Sequence, residues 1–194
     1  MDNYNVTKAS LTTNVVTLTL DTIVGLRPGY TVHVYGVGQH YDGNQTLTAV
    51  TTTEVDGVDV YTVTYAKTHA NIAEATSYGQ MRIHCTWIDD PDVEDWLGGQ
   101  PDDAIDQAYL TTCVETANAW CYARRFAAGY EDWPTHLPND SVRQGAVTLA
   151  AALYRERGSV DSFSSFQQMP VVAPLAGSLG QVMRLLGIGR AAVA

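Results

Sequence analysis

The 194-residue chain is poor in lysine and carries twice as many acidic as basic side chains. Its only lysines are Lys8 and Lys67, and 11 Lys and Arg residues face 21 Asp and Glu residues, for a formal net charge of −10. A groove that grips nucleic acid needs clustered Lys and Arg to neutralise phosphates. The composition therefore argues against such a groove, although it does not exclude a surface that DNA merely passes.

Long apolar runs and paired cysteine motifs are also missing. No stretch of about 18 apolar residues is present, so we expect no membrane span, and the start "MDNYNVTKAS" lacks the basic and hydrophobic regions of a secretory signal. A protein made and kept in the cytoplasm, or one that leaves by another route, is expected. The three cysteines, Cys85, Cys113 and Cys121, form no CxxC pair and are interpreted as buried free thiols.

The sequence carries no motif typical of catalysis. Histidine spacings of metalloenzymes, the GxSxG elbow and the phosphate-binding glycine loops are all missing. A Ca²⁺ loop beginning at Asp90 would need Gly at position 95 and Glu at position 101, where the chain has Asp95 and Pro101. We therefore predict no enzymatic activity, no cofactor and no metal, and we interpret the acids of residues 89–106 as helix N-termini and a solvated face.

Residues 3 to about 85 have the alternating pattern of β-strands. In "NVVTLTL" and "VYTVTYA" apolar and polar residues alternate, and turn signals such as "VDGV" at 55–58 separate the runs. Five or six short antiparallel strands are expected, forming a small barrel or a sandwich.

From Trp87 onward the apolar period becomes helical. A short helix is expected with Asp90 as its cap, Pro91 at its first position and Gly98-Gly99 as its stop, followed by a long helix that starts at Pro101. A third helix, residues 141–158, is predicted to end at Gly158. Apolar residues at helical spacing predict the bundle core: Leu110, Val114, Val142, Leu149 and Leu153.

The last 36 residues combine Ser, Gly, Gln and Pro with scattered apolar side chains. Apolar side chains on an extended arm are costly in water, so this arm is predicted to dock on another chain; folding back onto its own helices is the alternative. The predicted fold is α+β: an antiparallel β domain (1–85), a helical bundle domain (86–158) and an extended C-terminal arm (159–194) that ends in a short helix.

The helical half carries an ordered set of features: the acidic opener "WIDDPDVEDWL", the long helix "DDAIDQAYLTTCVETANAWCYARR", a proline-bearing loop, "VRQGAVTLAAALYRERGS" and the terminal "VMRLLGIGR". In this order of features the segment from about residue 86 to residue 190 resembles the head-to-tail connector (adaptor, or head-completion) proteins of long-tailed double-stranded DNA bacteriophages. The resemblance implies a ring of about a dozen copies beneath the portal protein. Such a ring lies in the virion neck, extends the DNA channel and bears the tail and other neck proteins, after assembly in the host cytoplasm.

The resemblance also implies roles for particular residues. It places the terminal segment against the portal or a neighbouring subunit, and it pairs basic and acidic residues of adjacent copies. The implied docking residues are Met183, Leu185, Leu186, Ile188 and Arg190. The implied charge pairs join Arg155 and Arg157 to Asp102 and Asp103. Under this assignment, Asp at both positions 185 and 186 should leave the monomer folded and abolish joining to heads.

Two other functions remain open. The β domain is an alternative ligand- or glycan-binding module on a helical oligomerisation base, with tyrosines as stacking surfaces. The candidate tyrosines are Tyr30, Tyr35, Tyr41, Tyr61 and Tyr65. A metal-dependent hydrolase that uses the acids of 89–106 is the third hypothesis.

Overall fold

The computed structural model describes residues 3–101, 103–160 and 174–188. The chain divides into two compact units, Met1–His84 and Cys85–Ala194, which are described separately as the β unit and the helical unit. The change of period near Trp87 therefore corresponds to a change of unit.

The β unit contains seven strands. Each is short or of moderate length, and every pairing between them is antiparallel. The strands are β1 (Tyr4–Thr12), β2 (Val15–Leu20), β3 (Thr31–Tyr35), β4 (Gly43–Val55), β5 (Val58–Ala66), β6 (Ile72–Thr76) and β7 (Gln80–Ile83).

Six of these strands close into a barrel. The pairing order is β2-β5-β4-β3-β7-β1, and β1 pairs again with β2. Closure depends on β1, which pairs with β7 through Tyr4 and Asn5 and with β6 farther along, from Lys8 to Leu11. The predicted mixed α+β class and small antiparallel β domain are confirmed, and the barrel is the form that the domain takes.

Alternation along the strands fills the barrel interior. Val16, Leu18 and Leu20 of β2 are buried, and Val63 and Tyr65 of β5 are buried opposite them. The Tyr65 hydroxyl lies inside as well, because it donates a 2.8 Å hydrogen bond to the carbonyl oxygen of Tyr41. Burial raises the pKa of this hydroxyl.

The described residues of the helical unit form four helices, and none of these combines the length and apolar character that a bilayer crossing requires. They are α1 (Asp90–Leu97), α2 (Ala104–Ala127), α3 (Asp140–Val160) and α4 (Pro174–Leu185).

The caps place the helix ends within a few residues of the predicted ones. Asp89, not the predicted Asp90, caps α1, because its side chain accepts a hydrogen bond from the backbone N–H of Asp92 in a reciprocal capping box. Gly98 ends the helix with a φ of 87°. Helix α3 begins after Asn139, whose side chain accepts from the N–H of Val142. The predicted stop at Gly158 is wrong, because α3 continues to Val160.

Helix α3 contacts the other three helices. Of the predicted core residues, Leu110, Val114, Val142 and Leu149 are buried and Leu153 is half-buried. Among the described residues of α4, Val182 and Leu186, the latter just after the helix, are buried as well. Residues 174–188 of the predicted arm are therefore not extended but form a helix packed on α3; residues 161–173 and 189–194 lie outside the described residues.

Candidate docking site at the C-terminal helix

A buried arginine near the end of α2 is the centre of the most elaborate polar cluster in the helical unit. Arg125 lies on the buried face of α2. Its guanidinium donates two hydrogen bonds to the Asp132 carboxylate, one of 2.6 Å from Nε and one of 3.1 Å from Nη2. Both side chains are largely withdrawn from water. A forked pair of this kind fixes both partners in one geometry.

The same guanidinium holds the end of α4. Its Nη1 donates a 2.5 Å hydrogen bond to the carbonyl oxygen of Leu186, and its Cζ atom lies 3.8 Å from the centre of the Tyr130 ring. The Tyr130 hydroxyl donates to the carbonyl oxygen of Gly187 at 3.2 Å, and the Ser141 hydroxyl donates to that of Leu185 at 2.9 Å. Three side chains thus satisfy three consecutive carbonyl groups.

These carbonyls need such partners because they end a helix. The last carbonyl groups of any helix have no partner within it. Gly187 takes the left-handed conformation at a φ of 74°, and the N–H of Ile188 donates to the carbonyl of Met183 at 2.9 Å, the pattern of a Schellman cap. We call the group formed by Arg125, Tyr130, Asp132 and Ser141 the carbonyl clamp, since it recognises the backbone of α4 rather than its side chains.

A glycine of α3 lets α4 approach closely. A Cβ atom at Gly145 would lie 3.2 Å from the Cβ of Leu185 and 3.5 Å from a methyl carbon of Leu186. The side chain of Leu186 is fully buried against this part of the unit. Because Gly145 has no side chain, the end of α4 can pack closely against α3 at this position.

Gly145→Val is expected to lower the free energy of unfolding of the helical unit by about 1–3 kcal/mol, the usual cost of overpacking. All four tryptophans, at positions 87, 96, 120 and 133, lie in the helical unit, so their fluorescence during urea unfolding reports on it alone. Gly180→Val is the matched control, because a Cβ there meets nothing within 4 Å. Equal midpoints for the two variants would show that α4 does not pack at Gly145.

The predicted docking residues have different environments. Leu186 is a core residue of its own chain, so in this conformation its side chain does not reach another subunit. Met183, Leu185 and Ile188 are half-buried, and Arg190 lies outside the described residues. Among the α4 side chains that the structure describes, Leu179, Gln181 and Arg184 are exposed and are not among the predicted docking residues.

Two of the four residues predicted to form charge pairs between copies have described side chains, and the pairs themselves stay a prediction. Asp103 is exposed and caps α2 by accepting from the N–H groups of Ile105 and Asp106, while Arg155 is exposed near the end of α3. Asp102 and the side chain of Arg157 lie outside the described residues.

Several acids of 89–106 have partners inside the helical unit. Asp92 of α1 pairs with Arg143 of α3, and Asp90 accepts from Thr111 at 2.6 Å and from Gln107 at 3.2 Å on α2. Pairing with Asp92 raises the pKa of Arg143. These acids therefore link α1 to its neighbours, a use beyond helix N-termini and a solvated face.

Among the residues that the structure describes, neither the ligand- or glycan-binding hypothesis nor the hydrolase hypothesis is supported by a formed site. Of the five candidate tyrosines, Tyr30, Tyr41 and Tyr65 are buried in the β unit and cannot stack on a ligand. No group of three or more His, Cys, Asp or Glu residues within 3–101, 103–160 and 174–188 is arranged to hold a metal ion.

The three cysteines are buried thiols that form no disulfide, as predicted. Burial raises the pKa of Cys121 to about 12, and it raises that of Cys85 as well. Because the thiolate is the nucleophilic form, neither residue is activated for chemistry.

Comparison of the chain with models of known protein families, with curated protein sequences and with solved structures found no match. What the protein does must therefore be inferred from its own residues.

Proposed function

We propose that this chain is a structural virion protein of a tailed bacteriophage, a head-to-tail connector that forms a ring beneath the portal and bears the tail. The observation that carries the proposal is the ordered set of helical motifs, which occupies α1, α2, the loop after α2, α3 and α4 in the order of the resemblance. No catalytic step and no cofactor belong to this role.

The way α4 packs on the helical unit supports a docking role for the C-terminal segment. The carbonyl clamp fixes the end of α4 from one side, while Leu179, 40% exposed, and Arg184 remain accessible on the same helix. Arginine and methionine are among the residue types enriched at protein interfaces. In this proposal the accessible face of α4 contacts the portal or a neighbouring copy, and the half-buried Met183 and Ile188 border it.

The charge of the helical unit suits a channel through which a genome moves. Residues 85–194 contain fourteen acidic and seven basic side chains. A wall with this excess of acid repels phosphate instead of binding it, over a range of about 8 Å at physiological salt. DNA then passes through the ring without adhering to it.

Electron microscopy of the purified protein mixed with portal rings tests the proposal. We expect a second ring stacked on one end of the portal, with cyclic symmetry. Portals that remain bare at micromolar protein, alongside a folded and monomeric chain, would refute the connector function.

A further inference from the structure

Two histidines from different loops meet at one end of the barrel. His40 lies in the loop between β3 and β4 (residues 36–42), and His69 lies in the loop between β5 and β6 (residues 67–71). The centres of their imidazoles are 4.2 Å apart, and the planes are inclined by 42°. We call these two side chains the histidine pair. The expectation of no metal came from spacing motifs, which do not detect ligands supplied by separate loops.

The loops that carry the histidine pair are held by hydrogen bonds. Strands β3 and β5 are both antiparallel to β4, so the loops that follow them leave the barrel at the same end. The Lys67 side chain donates to the carbonyl oxygen of Asp42 in the other loop, at 3.1 Å. The Asp42 carboxylate accepts from the N–H groups of residues 36–38 at 3.0–3.2 Å, and the His69 N–H donates to the Asn14 side chain at 3.2 Å. Both histidines therefore extend from a fixed backbone.

Hydrogen bonds indicate which nitrogen of each imidazole carries the lone pair. Nδ1 of His69 lies 3.0 Å from the carbonyl oxygen of Ala70. Because a carbonyl oxygen only accepts, this Nδ1 carries the proton and the lone pair is on Nε2. Nε2 of His40 lies 3.3 Å from the side-chain amide nitrogen of Gln39, which only donates, so its lone pair is on Nε2 as well. A carbonyl group bound to the other nitrogen is a usual partner of metal-binding histidines.

The separation of the two imidazoles suits one ion bound by both Nε2 atoms. At a metal–nitrogen distance of about 2.0–2.1 Å, the ion lies about 3.2 Å from each imidazole centre. Centres 4.2 Å apart then subtend an angle of about 80° at the ion, and a shift of about 0.3 Å opens it to a right angle. Right angles are typical of tetragonal Cu²⁺ coordination, whereas the tetrahedral angle of Zn²⁺ needs centres about 5.2 Å apart.

We propose that the histidine pair binds a divalent transition-metal ion, Cu²⁺ in preference to Zn²⁺, and that the ion joins the β3–β4 loop to the β5–β6 loop. Cu²⁺ also forms the strongest complexes of the divalent series with nitrogen ligands. The described part of the chain supplies two ligands and no group of three, so water completes the coordination. The charge of Lys67 in these loops is offset by that of Asp42. This site is independent of the proposed connector function.

Calorimetric titration of the full-length protein with Cu²⁺ tests the site. We expect one ion per chain, bound at micromolar concentrations and at least about tenfold more tightly than Zn²⁺, with an electron paramagnetic resonance spectrum of two nitrogen ligands. His40→Gln and His69→Gln should each weaken binding by at least about tenfold, because each leaves a single ligand. His136→Gln, at an exposed histidine of the helical unit, is the control and should bind as the wild type does.

Gln39→Ala separates metal binding from a purely structural role of the two imidazoles. The substitution removes the amide that bonds to Nε2 of His40, so Cu²⁺ should bind at least as tightly as in the wild type. Circular dichroism without metal checks the fold, and His69→Gln should keep the wild-type unfolding midpoint because His69 is exposed.

Two results would overturn the inference. One is a wild type that shows no saturable Cu²⁺ binding below millimolar concentration. The other is wild-type affinity in both His40→Gln and His69→Gln, which would identify the copper as an adventitious ion bound elsewhere. Electron microscopy with portal rings decides the connector function separately, whatever the outcome of these titrations.

Discussion

Replacing Arg125 with methionine is expected to lower the free energy of unfolding of the helical unit by about 3–5 kcal/mol, the range for removing one partner of a buried ion pair. The substitution leaves the Asp132 carboxylate, largely shielded from water, without its forked partner, and it deprives the Leu186 carbonyl of its donor. Methionine has a similar length, so the lost packing is small and the charge dominates. Urea unfolding followed by tryptophan fluorescence measures the effect.

The adjacent arginine supplies the matched control. Arg124 is exposed, and its guanidinium lies 5.2 Å from the centre of the Trp120 ring. Because an exposed cation–π contact contributes about 0.5–1 kcal/mol, Arg124→Met should change stability by no more than that. A double-mutant cycle with Asp132→Asn isolates the ion pair. If Arg125→Met and Arg124→Met cost the same, Arg125 does not hold the end of α4.

The strands and helices could be predicted from the sequence because their patterns are local. Alternation in β2 and β5 gave the buried faces, and "VDGV" gave the hairpin turn at Asp56 and Gly57. Five or six strands were expected and the described residues form seven; β6, which has little apolar alternation, is held at the edge by its pairing with β1. Barrel closure depends on pairings between distant strands, which no local pattern specifies.

The exact helix ends also depend on contacts that the local sequence pattern does not specify. An acid followed directly by a proline predicts Asp90 as the cap, but the reciprocal hydrogen bonds with Asp92 make Asp89 the cap. Gly158 was interpreted as a stop because glycine often follows a helix. The chain does not turn there, and a glycine inside a helix costs only about 1 kcal/mol.

The carbonyl clamp was not predicted, although one signal for it exists. Arg124 and Arg125 both lie in the last turn of α2, where a positive charge is favoured by the helix dipole. Their positions on the helix differ, however, so one faces water and the other faces the core. A buried arginine needs an acid nearby, and Asp132, seven residues later, is within reach once Gly129 ends the helix with a φ of 87°. The Leu186 carbonyl that Arg125 binds is 61 residues farther along the chain, so no pattern in the sequence near Arg125 indicates this contact.

Asn118 illustrates a second polar residue that apolar periodicity overlooks. It lies on the buried face of α2, and its amide donates to the carbonyl of Ile88 at 2.8 Å and accepts from the N–H of the same residue at 3.1 Å. The segment before α1 has no strand partner there, so a side-chain amide supplies both hydrogen bonds. A search restricted to apolar positions at helical spacing passes over such a residue.

Leu186→Asp is expected to weaken the packing of α4 on the helical unit by at least about 4 kcal/mol, because it removes a fully buried side chain and introduces an unpaired charge. The expectation that Asp at both positions 185 and 186 leaves the monomer folded is therefore withdrawn. In Leu186→Asp the backbone amides of α4 should exchange faster than in the wild type. If the helix detaches completely, they should lose all protection from exchange. Retention of full protection would contradict the burial of Leu186.

Leu179→Asp is the variant that separates docking from folding. Leu179 is 40% exposed on α4, so an aspartate there remains solvated and should change the unfolding free energy by less than about 1 kcal/mol. If the accessible face of α4 contacts the portal, this variant stays folded and binds portal rings about tenfold more weakly, since a charge enters an apolar contact. Gln181→Asp adds the same charge at a polar exposed position two residues later and is the control. Equal portal binding by both variants and the wild type would move the docking surface away from α4, while the carbonyl clamp would keep its structural role.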